Sequence, residues 1–258
     1  MTLDPIVAAF DVRATREPGS ALVVSRDRAS SNADVAALSR GLAGRLGDAG
    51  PGRAIGVRCP NGPGFLAATL ACRRPGATVV LLDRASSDAE ALRIASRLGA
   101  DRVLSCSEAW PDGPEAFAID LAVTDGSAPV LEVDYVKTTS GSTGDPKGIG
   151  VTADHLLADD TAIRGSMDVR ATDLLLATVP FSHSYGLSSL VVPALAHGIR
   201  LLVPSRTGAF EPLLAADALG ATVFPTVPAY LSAWTRVSTP PPLPPSIRTV
   251  ISAGAPLP

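Results

Sequence analysis

Residues 138–148 read TTSGSTGDPKG. After Thr138 the stretch holds four hydroxyl side chains, three glycines and one lysine, a mixture that the interior of no regular helix or strand favours. Gly141, Gly144 and Gly148 permit positive φ and close backbone approach. Successive backbone N–H groups can then turn inward as an anion nest. Thr139, Ser140, Ser142 and Thr143 add hydroxyl donors, and Lys147 brings a mobile point charge suited to phosphate oxygens. Pro146 fixes φ just ahead of that lysine. Such a set can hold a polyphosphate. An ordinary Gly/Ser surface turn needs neither this density of donors nor a lysine beside them.

Two common phosphate loops do not fit. The GxxxxGK-[Ser or Thr] pattern, read from Gly141, meets Pro146 at its sixth position and Gly148 after Lys147. The GxGxxG pattern fails because Gly141 and Gly144 have no glycine between them at the required offset. A kinase or NTPase of either kind is therefore disfavoured. A second cluster, PFSHSYG at residues 180–186, follows an apolar strand and precedes a helical pattern. Ligands in open α/β sheets gather beyond the carboxyl ends of strands, which places His183 well for a site. The structural alternative is a tight turn in which His183 and Tyr185 merely satisfy their neighbours.

Residues 139–148 match at every position the T-S-G-[Ser or Thr]-T-G-x-P-K-G signature of the adenylate-forming enzymes. The chain resembles the acyl- and aryl-CoA synthetases of that family and is also similar to the adenylation domains of peptide synthetases. PFSHSYG is similar to the family's P-x-x-H-x-x-G stretch. TVFPTVPAY at 222–230 and ISAGAPLP at 251–258 look like its T-x-x-x-x-V-P segment and its G-[Gly or Ala]-A-x-L turn. For these last two, a strand-to-helix bend with small residues serves equally well.

The resemblance covers essentially the whole chain, as the N-terminal part of the family's large domain. It implies an α/β fold of two Rossmann-like layered subdomains, truncated before the C-terminal part. Residues 1–130 would be the first subdomain, and residues 131–258 the glycine-loop region with part of the second. The implied chemistry is attack of a carboxylate on the α-phosphorus of ATP, releasing pyrophosphate and forming an acyl-adenylate. CoA or a carrier protein's phosphopantetheine then takes the acyl group. By resemblance, Thr139, Ser140, Gly141, Ser142, Thr143, Gly144, Lys147 and Gly148 hold the phosphates, and His183 meets the substrate carboxylate. Phe181 and Tyr185 become pocket wall, while Gly254 and Ala255 border the adenine or acyl group. Mg2+ would be bound mostly through phosphates and waters, and no acidic residue of the sequence is nominated by motif as its ligand or as a ribose partner.

The family's downstream Y-G-x-T-E stretch, ribose-binding aspartate, hinge and lysine-bearing C-terminal domain find no counterpart in the 258 residues. The expectation is therefore weak nucleotide binding, little adenylation by the chain alone, and an unpaired sheet edge. Expected partners are a small carboxylic acid, and a carrier protein or a separate C-terminal half. The competing reading is a non-catalytic half-domain that binds nucleotide or docks on a partner.

Composition bounds these readings. A formal charge of −3 with 18% charged residues gives no support to a nucleic-acid or membrane-surface role. Cys59, Cys72 and Cys106 are odd in number and scattered, which excludes a complete disulfide framework and suits a reducing, cytoplasmic compartment. The first residues lack a basic region before their apolar run, unlike a secretory signal. The most apolar region, 187–204, is interrupted by Pro193, His197 and Arg200, so nothing reaches the ~20 residues that span a bilayer.

The elements that must position these residues alternate short apolar runs with helical stripes. Strands are expected near 21–25, 54–58, 77–82 and 102–105, as a βαβαβαβ series with right-handed crossovers, and a further strand near 117–121 between turn-rich segments. Ser31 and Ser87 open helices, the first with Val35, Leu38, Leu42 and Leu46 as its stripe and Gly50 as its stop. The glycine loop should be a hairpin tip, followed by a helix capped by Thr152. A second α/β series runs over 174–252, with the proline tract at 239–245 as a surface spacer. Lys137 reads as a solvated lysine with no role.

Overall fold

A computed structural model of the chain describes residues 3–122, 133–139, 147–205 and 208–256, the side chain of Thr139 excepted. The chain starts with α1 (Pro5–Arg16), then β1 (Ala21–Val24), β2 (Ala29–Ser31) and α2 (Asn32–Leu46). Next come β3 (Ala54–Arg58), α3 (Pro63–Arg73), β4 (Thr78–Leu81), α4 (Asp88–Arg97), β5 (Arg102–Ser105) and β6 (Ala118–Leu121). The glycine stretch lies between β7 (Tyr135–Thr139) and β8 (Lys147–Val151), and α5 (Ala153–Met167) and β9 (Leu174–Leu176) follow. A short α6 (Ser184–Gly186) continues through a π-helical turn, Leu187–Val191, into α7 (Val192–His197). The last described elements are β10 (Arg200–Leu202), α8 (Glu211–Leu219), β11 (Val223–Thr226), α9 (Pro228–Thr235) and β12 (Thr249–Ser252).

Helix starts follow the capping chemistry. The Ser31 hydroxyl accepts from the Asp34 N–H at 3.2 Å while the Asp34 carboxylate accepts from the Ser31 N–H at 2.8 Å, a reciprocal box. Thr152 and His155 do the same for α5, the imidazole Nδ1 accepting from the Thr152 N–H at 3.3 Å. Helix α2 stops at Gly47, with φ of 59°, three residues before the expected Gly50.

Among the described residues the strands form two six-stranded sheets. The first has the order β6-β5-β3-β4-β7-β8, and the second β12-β11-β9-β10-β1-β2. Interior pairs are parallel, and β2, β6 and β8 are antiparallel edges. The period-2 alternation of strand residues divides the core into layers. From the first sheet, Val80, Val103 and Val136 face α4 in one cluster, while Val79, Leu104 and Tyr135 face a central layer containing α2 and α3. From the second sheet, Leu201 and Val223 face that same layer, and Leu202 and Phe224 face α8. Two α/β sheets thus enclose shared helices, the layered fold expected.

The division at 130/131 does not follow sheet membership. Strand β1 leaves the expected local series and pairs in parallel with β10, Val23 opposite Leu201. Conversely β7 and β8, placed in the second part by the sequence reading, complete the first sheet through β4. The first strand is drawn away because β10 offers an apolar parallel partner and β4 already has partners on both sides. Helix α1 was not anticipated. Asp4 caps it, its Oδ1 accepting from the Ile6 N–H at 2.8 Å, and its other oxygen accepts from Arg73 Nε at 2.8 Å. Arg73, itself buried, also pairs with Asp134 and donates to the Ala77 carbonyl at 2.6 Å, so one guanidinium ties α1, α3 and the start of β7. Lys137 is not simply solvated: it is half-buried on β7, and burial lowers its pKa against an opposing pull from Asp159.

Candidate functional site

The glycine hairpin is built as anticipated up to its tip. Thr138 pairs with Gly148 and Thr139 with Lys147 in an antiparallel ladder. Ser140, Gly141, Ser142, Thr143 and Gly144 lie outside the described residues, as does the Thr139 side chain. Lys147 opens β8 at the loop end and is exposed. Gly148 has a different reason to be glycine from the one first given. A Cβ there would lie 2.8 Å from both Leu98 Cδ2 and Val136 Cγ1, so the bare backbone makes room for α4's last turn. Its neighbour on the same strand face, Gly150, similarly accommodates Val133, whose Cγ1 would be 2.9 Å from an added Cβ.

Because β7 runs parallel to β4, its loop end lies beside the turn that leaves β4. The Thr138 hydroxyl donates to the Leu81 carbonyl at 2.9 Å, fastening the hairpin to that turn. There Asp83 Oδ1 accepts from the Ala85 N–H at 2.9 Å, and the Ser86 N–H donates to the Asp83 carbonyl at 3.2 Å. Ser87 caps α4 immediately afterwards, its hydroxyl accepting from the Glu90 N–H at 3.3 Å.

The histidine turn approaches from the other sheet. His183 Nε2 lies 3.6 Å from Asp83 Oδ2, with the imidazole side chain 52% exposed. The turn's shape depends on Gly186, where a Cβ would be 2.0 Å from the Pro180 carbonyl oxygen. The Leu187 N–H closes it on the His183 carbonyl at 2.8 Å. Asn61, beyond the end of β3, holds this segment by three bonds. It accepts from the Phe181 N–H at 2.8 Å and donates to the carbonyls of Val179 at 2.8 Å and Ala177 at 3.2 Å. These turns border a shallow, open cleft of about 360 Å3 lined on one side by Cys59, Asn61, Asp83 and Arg84 and on the other by Thr178 and Ser182. Strand ends from both sheets meet there.

The other pocket residues fall elsewhere. Phe181 is 1% exposed and packs edge-on against Phe65, ring centroids 5.5 Å apart, so it is core and not pocket wall. Tyr185 is half-buried, and its hydroxyl donates to the Ile251 carbonyl at 2.8 Å. Burial pushes its pKa up to about 12, so the phenol stays protonated as a strut between α6 and β12. Gly254, with φ of 94°, and Ala255 are exposed at the carboxyl end of β12. The sequence reading missed Asn61, Asp83 and Arg84. Asn61 and Asp83 sit in N-G-P and D-R-A-S-S stretches that signal turns, but nothing local says that both turns face residue 183.

Polar turns gathered at the carboxyl ends of parallel strands define an α/β protein of the ligand-binding kind. The family model described as AMP-binding enzyme matches residues 10–258, and the chain belongs to that family. It is 29% identical to 4-coumarate–CoA ligase-like 3 of Oryza sativa subsp. japonica over 89% of its own length and 47% of that relative's. Identity to the sulfoacetate–CoA ligase of Cupriavidus necator is 27%, covering 88% and 51% of the two chains. With pyochelin synthetase PchE of Pseudomonas aeruginosa it shares 31% identity over 81% of this chain and 15% of that one. The chain thus spans about half the length, or less, of these relatives. Among solved structures, the N-terminal domain of FACL13 from Mycobacterium tuberculosis superposes with a TM-score of 0.80 at 23% identity, covering 99% of this chain and 71% of that one. The o-succinylbenzoate–CoA synthetase of Bacillus subtilis in complex with its acyl-adenylate gives 0.76 at 21%, with 96% and 68% covered. At these identities the superpositions speak for the fold.

Proposed function

We propose that the chain supplies the phosphate-binding hairpin and one wall of the acid site for ATP-dependent activation of a small carboxylic acid. The acid's carboxylate oxygen attacks the α-phosphorus of ATP, the bond to the bridging oxygen breaks, and pyrophosphate leaves with the electron pair. The acyl-adenylate then passes its acyl group to a thiol, of CoA or of carrier-protein phosphopantetheine. Reactions of this type depend chiefly on positioning and charge neutralisation. Lys147 would supply positive charge at the β- and γ-phosphates, with Thr139, Ser140, Ser142 and Thr143 and the amides of Gly141, Gly144 and Gly148 around them. Magnesium would enter with ATP, bound mostly through phosphates and waters.

The observation that carries this reading is the meeting of two turns. The hairpin base is bonded to the β4 turn at Leu81, and that turn carries Asp83 to within 3.6 Å of His183. A nucleotide's phosphates on the hairpin and a carboxylate beside His183 would then be neighbours. The relatives named as CoA ligases and as a peptide-type synthetase support the acid–thiol class, and leave CoA and carrier protein both open as acceptor. Because the chain spans about half of its CoA-ligase relatives, we expect its own nucleotide binding to be weak and its adenylation slow.

ATP–pyrophosphate exchange with a panel of carboxylic acids, beside direct ATP titration, tests the reading. Lys147→Ala should weaken ATP binding by about tenfold, the worth of one charge-assisted contact. His183→Ala should reduce acid-dependent exchange or acid binding more than ATP affinity. Unchanged ATP affinity in a folded Lys147→Ala protein would refute the phosphate assignment. ATP binding with no response to any acid would favour the non-catalytic nucleotide-binding reading.

A further inference from the structure

Arg84 occupies the apex of the β4 turn, on the lip of the cleft that faces the histidine turn. Its presentation is built from both sides. The Asp83 side chain accepts from the Ala85 N–H, and Arg58 reaches from the end of β3 to the Ser86 carbonyl and to Asp88. The turn is therefore pinned on either side of Arg84, while its own side chain is exposed and makes no hydrogen bond or ion pair with any described residue. Its neighbours in the cleft are already committed. Asn61 spends both ends of its amide on the histidine segment, and Asp83 faces His183. Arg84 itself lines the cleft beside Cys59, Pro60 and Asn61.

Resting on the carboxylate site proposed above, we propose that Arg84 is a specificity-determining residue selecting acids that carry a second anionic group, a carboxylate or sulfonate at the end away from the reacting carboxylate. Arg84 lines the cleft, and His183 stands on the facing turn, 3.6 Å from the Asp83 that also lines it. A single carboxylate touching both would lie against the Asp83 carboxylate, a like-charge contact. Two anionic ends separated by a short chain keep clear of it while giving His183 and Arg84 each a partner. Arginine suits this role because its planar fork binds carboxylate or sulfonate by two parallel N–H bonds. A cleft of about 360 Å3 is at the small end of ligand sites, in keeping with a short diacid.

Calorimetric titration of the 258-residue chain with length-matched pairs tests this: butyrate against succinate, and hexanoate against adipate. In the native chain one diacid should bind on the order of tenfold more tightly than its monoacid. Arg84→Gln should abolish that preference and leave monoacid binding alone, while Arg84→Lys should keep part of it. Thermal midpoints confirm that both variants fold, as expected for an exposed turn residue. Equal binding of both members of each pair, or an equal loss for both in Arg84→Gln, would overturn the second-anion assignment and leave the His183 site standing. If no acid binds and His183→Gln changes nothing, the site reading itself fails and this one with it. Adenosine 3′,5′-bisphosphate is the remaining arm. Dependence of its binding on Arg84, without diacid preference, would assign the arginine to phosphates of a thiol acceptor and refute the proposal.

Discussion

The two turns that face each other across the cleft differ in what packing adds to their hydrogen bonds. The β4 turn, residues 83–87, is a polar construction: a side-chain carboxylate on a backbone N–H, an arginine on a carbonyl, a serine cap on α4. Its residues are largely solvent-exposed. The histidine turn, residues 180–186, adds close packing to its hydrogen bonds from Asn61, with Phe181 in the core and Gly186 against a carbonyl oxygen. Hydrogen-bonded surface turns tolerate change at a modest cost, whereas a turn set by close contact has no room to adjust. The contrast suits the chemistry proposed. The close-packed turn fixes where His183 stands, and the hydrogen-bonded, exposed one carries Arg84, the residue on which selectivity would depend.

Three substitutions can break or sharpen this contrast, measured by urea unfolding. Gly186→Ala should have the largest effect, about 4 kcal/mol or more, because its methyl would sit 2.0 Å from the Pro180 oxygen and backbone must move. An unchanged midpoint would mean that the turn is as adaptable as its counterpart. Asn61→Ala should follow at about 2–3 kcal/mol, leaving the Phe181 N–H and the Val179 carbonyl without their side-chain partner. It should also weaken acid binding by displacing His183, and loss of stability without any such change would separate the support from the site. Ser87→Ala, on the polar turn, should lose about 1 kcal/mol, the usual worth of an N-cap, with acid binding retained. A loss as great as that of Gly186→Ala would erase the distinction.

Much of this architecture is legible locally. Ser31 with Asp34 and Thr152 at the head of α5 announce helices because caps act within one turn of chain. The apolar run at β4 and the hairpin flanking the glycine stretch are short-range patterns of the same sort. His183 could be marked as a site residue from its place after an apolar strand. Phe181 could not be assigned from its neighbours, because an aromatic after a strand end reads the same whether it faces a cleft or, as here, another ring 116 positions earlier in the chain (Phe65). Gly148 was mistaken in its reason for a similar cause: a glycine beside a glycine-rich loop looks conformational until Leu98 is seen above it.

Capping, periodicity and the composition of the 138–148 stretch were decided by the order of amino acids alone, since each is settled among residues a few positions apart. Which sheet β1 joins, that Asn61 carries the histidine turn, and that Asp83 and Arg84 stand across from His183 were decided only on folding. Those pairings bring together groups about 100 to nearly 180 residues apart. Parallel strands accept any apolar partner of suitable length, and no local signal distinguishes β4 from β10 for β1. The choice falls to the assembled sheets, in which β4 is already flanked by β3 and β7 while β10 has an edge open to β1.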